Sequence, residues 1–137
     1  MGHATSSTCV RCRIEALIVD YAALNDACDI AGLTQIFTED ARFEVRTPDG
    51  SIDVWNGRPQ ILEQLEDALR GKQQFHSMSN VRILEEEASG FTVESCLLLV
   101  HTPPGATPTL QLTATYRDRI VERDGALRFA ERCVTVH

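Results

Sequence analysis

Between Arg11 and Ala27, apolar residues recur every three or four positions. Ile14, Leu17, Ile18, Tyr21, Leu24 and Cys28 fall on one face of a predicted helix, and the polar Asn25 interrupts that stripe. A second, short helix is predicted after Asp29, an N-cap residue, with Ile30, Leu33, Ile36 and Phe37 on its buried side; Gly32 within it weakens the helix. The period then changes. Ala41, Phe43 and Val45 alternate with Arg42, Glu44 and Arg46, which predicts a half-buried strand. Thr47-Pro48-Asp49-Gly50 turns the chain, and Ile52 to Trp55 pairs back as a short strand. A third helix runs from Arg58 to Arg70, with Pro59 in its first turn, Ile61, Leu62, Leu65 and Leu69 as its stripe, and Gly71 as its stop. The remainder reads as four long strands, roughly 75–86, 91–101, 109–122 and 126–136, parted by Ser89-Gly90, Pro103-Pro104-Gly105 and Asp124-Gly125.

The order helix, helix, strand, strand, helix and then four strands defines an α+β domain. A long meander twists strongly, so the expectation is a curved antiparallel or mixed sheet with three helices on its concave face. That arrangement makes a cone with an interior cavity. Residues 1–10 are expected to form a flexible N-terminus and residues 11–137 a single domain. The longest apolar run, Cys96 to Val100, is far short of the roughly 20 residues of a membrane helix. The N-terminal region shows no apolar segment of signal-peptide length, which predicts a cytoplasmic protein. Thirteen basic against twenty acidic residues give a net charge of −7. This disfavours nucleic acid and anionic membranes as partners and leaves an uncharged or cationic small molecule, or another protein.

The five cysteines are Cys9, Cys12, Cys28, Cys96 and Cys133, and their odd number suits reduced thiols. Cys9-x-x-Cys12 has zinc-ligand spacing but lacks a second close pair. A redox role calls for this motif at a helix start beside a strand, and no strand precedes it. Neither a metal nor redox chemistry is expected there. Cys28, Cys96 and Cys133 sit in apolar periodic segments and are predicted as small core residues.

Several segments, taken in order, carry a resemblance. They are Tyr21 to Asp29, then Leu33 and Ile36 to Phe43; Gly57-Arg58 with Ile61; His76-Ser77-Met78-Ser79-Asn80-Val81-Arg82-Ile83; and Tyr116 to Arg119 with Asp124-Gly125 and Ala130-Glu131-Arg132. Together they resemble the SnoaL-like, nuclear-transport-factor-like superfamily, nearest to its scytalone dehydratase and bile-acid dehydratase type members. Leu127 departs from a tryptophan common in the family. The resemblance implies the cone fold and a cofactor-free active site: Asp26 orienting His76, with His101 facing it and Tyr21 five residues before the aspartate. Arg132 matches an arginine on the final strand of the bile-acid enzyme. Asn25, Phe43, Val45, Trp55, Leu99, Tyr116 and Arg132 are the expected substrate-binding residues, for a hydrophobic hydroxylated carbonyl compound. The two tyrosines that activate the leaving group in scytalone dehydratase are here Asn25 and Val45, and no Arg-x-Asp of the limonene epoxide hydrolase kind occurs.

Such a set suits dehydration, isomerisation or cyclisation, because histidine can take an α-proton or protonate a leaving hydroxyl, and a carboxylate beside it fixes its tautomer. Each residue also has a structural reading. His76 could be a satisfied structural histidine, Asp26 a helix-end carboxylate, Tyr21 core, His101 a loop-edge residue, and Arg132 a surface partner of Glu131 or Asp118. The family includes non-catalytic accessory subunits, as in dioxygenases, so fold membership does not name the reaction. It also implies a homodimer through the sheet, by way of Thr92, Glu94, Cys96, Gln111, Thr113, Thr115 and Arg117.

Overall fold

The computed structural model describes residues 9–137. Helix α1 (Val10–Asp26) buries Ile14, Leu17, Ile18, Tyr21, Ala22 and Asn25, as its stripe requires. It begins one residue before the predicted start, and Cys9 is its N-cap. The rest of the expected flexible segment, residues 1–8, lies outside the described residues. Helix α2 (Ile30–Thr34) is capped by the Asp29 carboxylate, which accepts from the Gly32 N–H at 2.9 Å. A Cβ at Gly32 would stand 2.5 Å from Leu24 Cδ2, the far end of a half-buried side chain that would have to swing aside.

Ile36 and Phe37 do not extend α2. Strand β1 (Phe37–Arg46) starts four residues earlier than the alternation suggested, and Phe37 pairs with Phe129. A register shift between Phe37 and Arg42 breaks the two-residue period across Thr38, Glu39 and Asp40, which hid this part of the strand. The chain continues through β2 (Ile52–Asn56), α3 (Arg58–Leu69), β3 (Gln74–Glu87), β4 (Gly90–His101), β5 (Thr109–Arg123) and β6 (Ala126–Val136). The strands form one open, mixed sheet in the order β2-β1-β6-β5-β4-β3. The β1–β6 ladder is parallel, and the others are antiparallel. The three helices pack on the concave face and enclose a core that includes Ile14, Ile18, Leu33, Phe37, Ile61, Val93, Ile120 and Phe129, all fully buried.

Strand β3 contains the bend that positions the site. Asn80 has φ +54°, and the β3–β4 register shifts between Ser79 and Arg82. Before the bulge, Met78 packs on the core; beyond it, Val81 and Ile83 do. A bulge adds one residue and changes the phase of the alternation, so both sets turn inward. Phe75, on the opposite face, is 59% exposed.

The expected core cysteines are not core residues. Cys28 lies past the end of α1 at φ +51° and is exposed, while Cys96 and Cys133 are half-buried. Cys133 stands beside Glu44, and Cys96 lies 3.9 Å from the Asn80 amide. Among the described residues no helix is long and apolar enough to cross a membrane.

Phe37 is fully buried against Tyr21, Phe43 and Phe129. Phe37→Ala is expected to cost about 3–5 kcal/mol in urea unfolding, whereas Phe75→Ala at its exposed position should stay within about 0.5 kcal/mol.

Candidate active site

A cavity of about 250 Å³ lies between the helices and the concave sheet. Its apolar wall includes Phe43, Val45, Leu65, Leu69, Leu97, Leu99, Leu112, Val134 and Val136, with Tyr21, Asn25, Tyr116 and His76 as the polar groups among them. Lys72, Gln74 and Gln111 stand at its more exposed side, where the Gln74 side-chain amide donates to Gln111 Oε1 at 3.4 Å. Asn25, the polar break in the α1 stripe, is buried and donates its amide to the Tyr21 carbonyl at 2.7 Å.

Asp26 ends α1, and His76 is the third residue of β3. The Asp26 carboxylate lies 2.6 Å from His76 Nδ1, and both of its oxygens accept from the His76 backbone N–H at 3.1 Å. One aspartate thus holds both the ring and the backbone of the histidine. An ionised carboxylate only accepts, so the proton between them sits on Nδ1 and the Nε2 lone pair is free. Nε2 has no protein hydrogen bond among the described residues. The His76 side chain is 8% exposed and Asp26 22%. His76 borders two spaces: the chamber, and an outer groove between α1 and β3 that Asp26 also lines, with Val19, Ala22, Ala23, Phe75 and Met78. A further depression along the same seam, lined by Arg11, Glu15 and Asn80, is larger but contains neither Asp26 nor His76.

Beneath the two tyrosines lies a buried ion pair. Arg132 Nε and one terminal nitrogen meet the two Asp118 oxygens at 2.7 and 3.0 Å, and neither side chain has exposed surface. The guanidinium carbon stands 4.2 Å from the centre of the Tyr21 ring, 4.1 Å from Tyr116 and 4.0 Å from Phe129. Burial pushes both phenols up in pKa, which keeps them protonated as hydrogen-bond donors, and the Arg132 charge works against that rise.

Of the residues expected at the site, Tyr21, Asn25, Phe43, Val45, His76, Leu99 and Tyr116 line the chamber, and Asp26 is bound to His76. Three lie elsewhere. Trp55 is on the edge strand β2 and stacks on Phe43 at 4.9 Å, so Phe43 stands between it and the cavity. Arg132 is shielded by Tyr21 and Tyr116; its predicted pairing with Asp118 exists, but in the interior and not on the surface. His101 ends β4 two residues past Leu99, about 7 Å further along the strand, in a separate depression with Cys28, Gly71, Lys72, Thr102 and Pro104. It does not face His76 across the chamber. Among the residues that sequence reasoning missed are Leu97, Leu112, Gln111, Gln74 and Lys72. Leu97 was available from its alternation with Leu99, but a register shift between Leu99 and Val100 brings Gln111 and Leu112 to the chamber together. Gln111 therefore does not belong with the outer-face residues.

The sequence profile of the SnoaL-like domain matches residues 7–133. The chain belongs to this SnoaL-like family. No curated protein matches the sequence significantly. Among solved structures, this SnoaL-like chain is similar to a Mycobacterium tuberculosis protein of unknown function at 25% identity and TM-score 0.79, over 91% of this chain and 70% of the other. It is also similar to ActVI-ORFA of Streptomyces coelicolor at 23% identity and TM-score 0.79, over 93% and 98% of the two chains. A third is a Novosphingobium aromaticivorans protein named provisionally as a scytalone dehydratase, at 24% identity and TM-score 0.73, over 91% and 82%. The latter two likenesses establish a shared fold.

Asp118→Ala leaves the buried Arg132 charge without its partner and is expected to destabilise the protein by about 3–5 kcal/mol. The double variant Asp118→Leu with Arg132→Met should recover most of that loss, as measured by chemical denaturation.

Proposed function

We propose that this SnoaL-like protein is a cofactor-independent acid–base enzyme acting on a hydrophobic, hydroxylated carbonyl compound. The observation that carries the reading is the Asp26–His76 pair, 2.6 Å between carboxylate and ring, on the wall of a mostly apolar chamber. With Nδ1–H donated to Asp26, Nε2 is the base that takes a proton from the carbon beside the carbonyl. Asp26 then stabilises the imidazolium. Tyr21 and Tyr116, neutral and backed by the Arg132 cation, supply hydrogen bonds to the carbonyl oxygen as negative charge develops on it. Returning the proton to a neighbouring hydroxyl expels water; returning it to another carbon moves a double bond. Dehydration, isomerisation and aldol-type ring closure share the first step and differ in where the bound substrate presents its second reacting atom. The apolar wall favours a hydrocarbon body, and Asn25, Gln74 and Gln111 can hold its oxygens.

The outer sheet face, with Glu94, Cys96, Thr113, Thr115 and Arg117, is the proposed contact between two copies. Light scattering on purified protein should give the mass of a dimer.

Hydroxylated bicyclic ketones, screened first by thermal shift and then by turnover with product chromatography, test the enzymatic reading. His76→Ala and Asp26→Asn are each expected to lower kcat/KM by about 10²–10⁴-fold while the far-ultraviolet circular dichroism stays that of the native protein. Unchanged turnover in His76→Ala would sink the reading and leave a ligand-binding or accessory role for the same cavity.

A further inference from the structure

Cys9 and Cys12 play no part in the chamber or the core. Both are exposed, and they stand together on the first turn of α1. Their sulfurs are 2.8 Å apart, and the Cys12 backbone N–H points at the Cys9 sulfur from 3.2 Å. Cys9 is the N-cap, the position at which a helix presents its unpaired N–H groups to an acceptor, and a thiolate sulfur is such an acceptor. The helix start and the three-residue spacing alone bring the two side chains into contact. No third ligand joins them: among the described residues no group of three His, Cys, Asp or Glu side chains is placed to hold a metal ion.

From this geometry we infer that Cys9 and Cys12 form a thiol–disulfide exchange site for small disulfides of the glutathione class, with Cys9 as the attacking thiol and Cys12 as the resolving one. The Cys9 thiolate attacks one sulfur of the small disulfide. That S–S bond breaks, one small thiolate leaves, and Cys9 carries a mixed disulfide. Cys12 gives up its proton and attacks the Cys9 sulfur, forming the Cys9–Cys12 bond and expelling the second small thiolate. Two electrons pass from the cysteine pair to the small disulfide, which departs as two thiols carrying the two protons. An excess of the reduced small thiol reverses each step.

The division of labour follows from the local contacts. The Cys12 thiol and the Cys12 amide hold Cys9 below the ordinary thiol pKa, while hydrogen bonding to Cys9 and its charge hold Cys12 above it. The other thiols lack this arrangement. Cys133 is pushed up by burial and by Glu44, and Cys28 and Cys96 have no sulfur partner among the described residues.

Trypsin cleaves after Arg11 and Arg13, between and beyond the two cysteines. The test is to equilibrate the native protein with mixtures of oxidised and reduced glutathione, quench with acid, and digest without reduction. The expected product is peptide 1–11 joined to dipeptide 12–13, with free thiols falling from five to three. Cys12→Ser should instead accumulate a lasting glutathione adduct on Cys9. Cys9→Ser, which keeps a capping hydroxyl, should lose the reaction. Iodoacetamide at neutral pH should label Cys9 roughly tenfold faster than Cys12. Glutathione spread over Cys28, Cys96 and Cys133 without the joined peptide would overturn the inference, as would equal labelling of Cys9 and Cys12.

Discussion

A guanidinium with no exposed surface ties helix α1 of this protein to its sheet. Arg132 on β6 is neutralised by Asp118 on β5 and covered by the rings of Tyr21, Tyr116 and Phe129. Removing an arginine from water is costly, and the bidentate carboxylate and three aromatic faces offset that cost only if all of them are in place. The constraint is therefore mutual. Tyr21 fixes the rotation of α1 about its axis, and with it Asn25 and Asp26 one turn further on. One terminal nitrogen of Arg132 has no hydrogen-bond partner among the described residues, so Asp118 and the aromatic rings carry the compensation seen there.

That rotation sets where α1 ends relative to the sheet. Its last residue, Asp26, reaches β3 and binds both the ring and the backbone of His76, fifty positions away. An anion at a helix C-terminus meets the negative end of the helix dipole, which makes a proton donor there more welcome than it would be elsewhere. The imidazole supplies that donor. The contact closes one side of the chamber and also fixes which ring nitrogen is free. Asp26 opens onto the outer groove while His76 borders both groove and chamber, so the pair forms the wall between them.

Membership of the SnoaL-like family accounts for the cone, and the side chains inside it distinguish this member. Asn25 and Val45 occupy places where the scytalone enzyme resemblance calls for tyrosines. The polar groups concentrate instead on Tyr21, Tyr116 and His76. The cysteine pair at the start of α1 stands outside this scheme: it lies at the opposite end of the same helix from Asp26.

The periodic patterns by themselves determined the three helices and the six strands, because burial imposes a period of 3.6 on a helix and of 2 on a strand. The inward faces of Tyr21, Phe43 and Val45, and the polar break at Asn25, follow from those periods. The choice of face on β3 did not follow, since the bulge at Asn80 changes phase midway and the sequence reads equally well both ways. His101 was misplaced because alternation tells direction and not depth, and β4 runs past the mouth before it ends. Trp55 was misplaced because strand order, with β2 at the edge, is a property of the assembled sheet. The interior position of Arg132 depends on residues from α1, β5 and β6 converging on one charge. Only the tertiary structure could decide it, since a lone arginine in a strand is ordinarily held at the surface by its hydration.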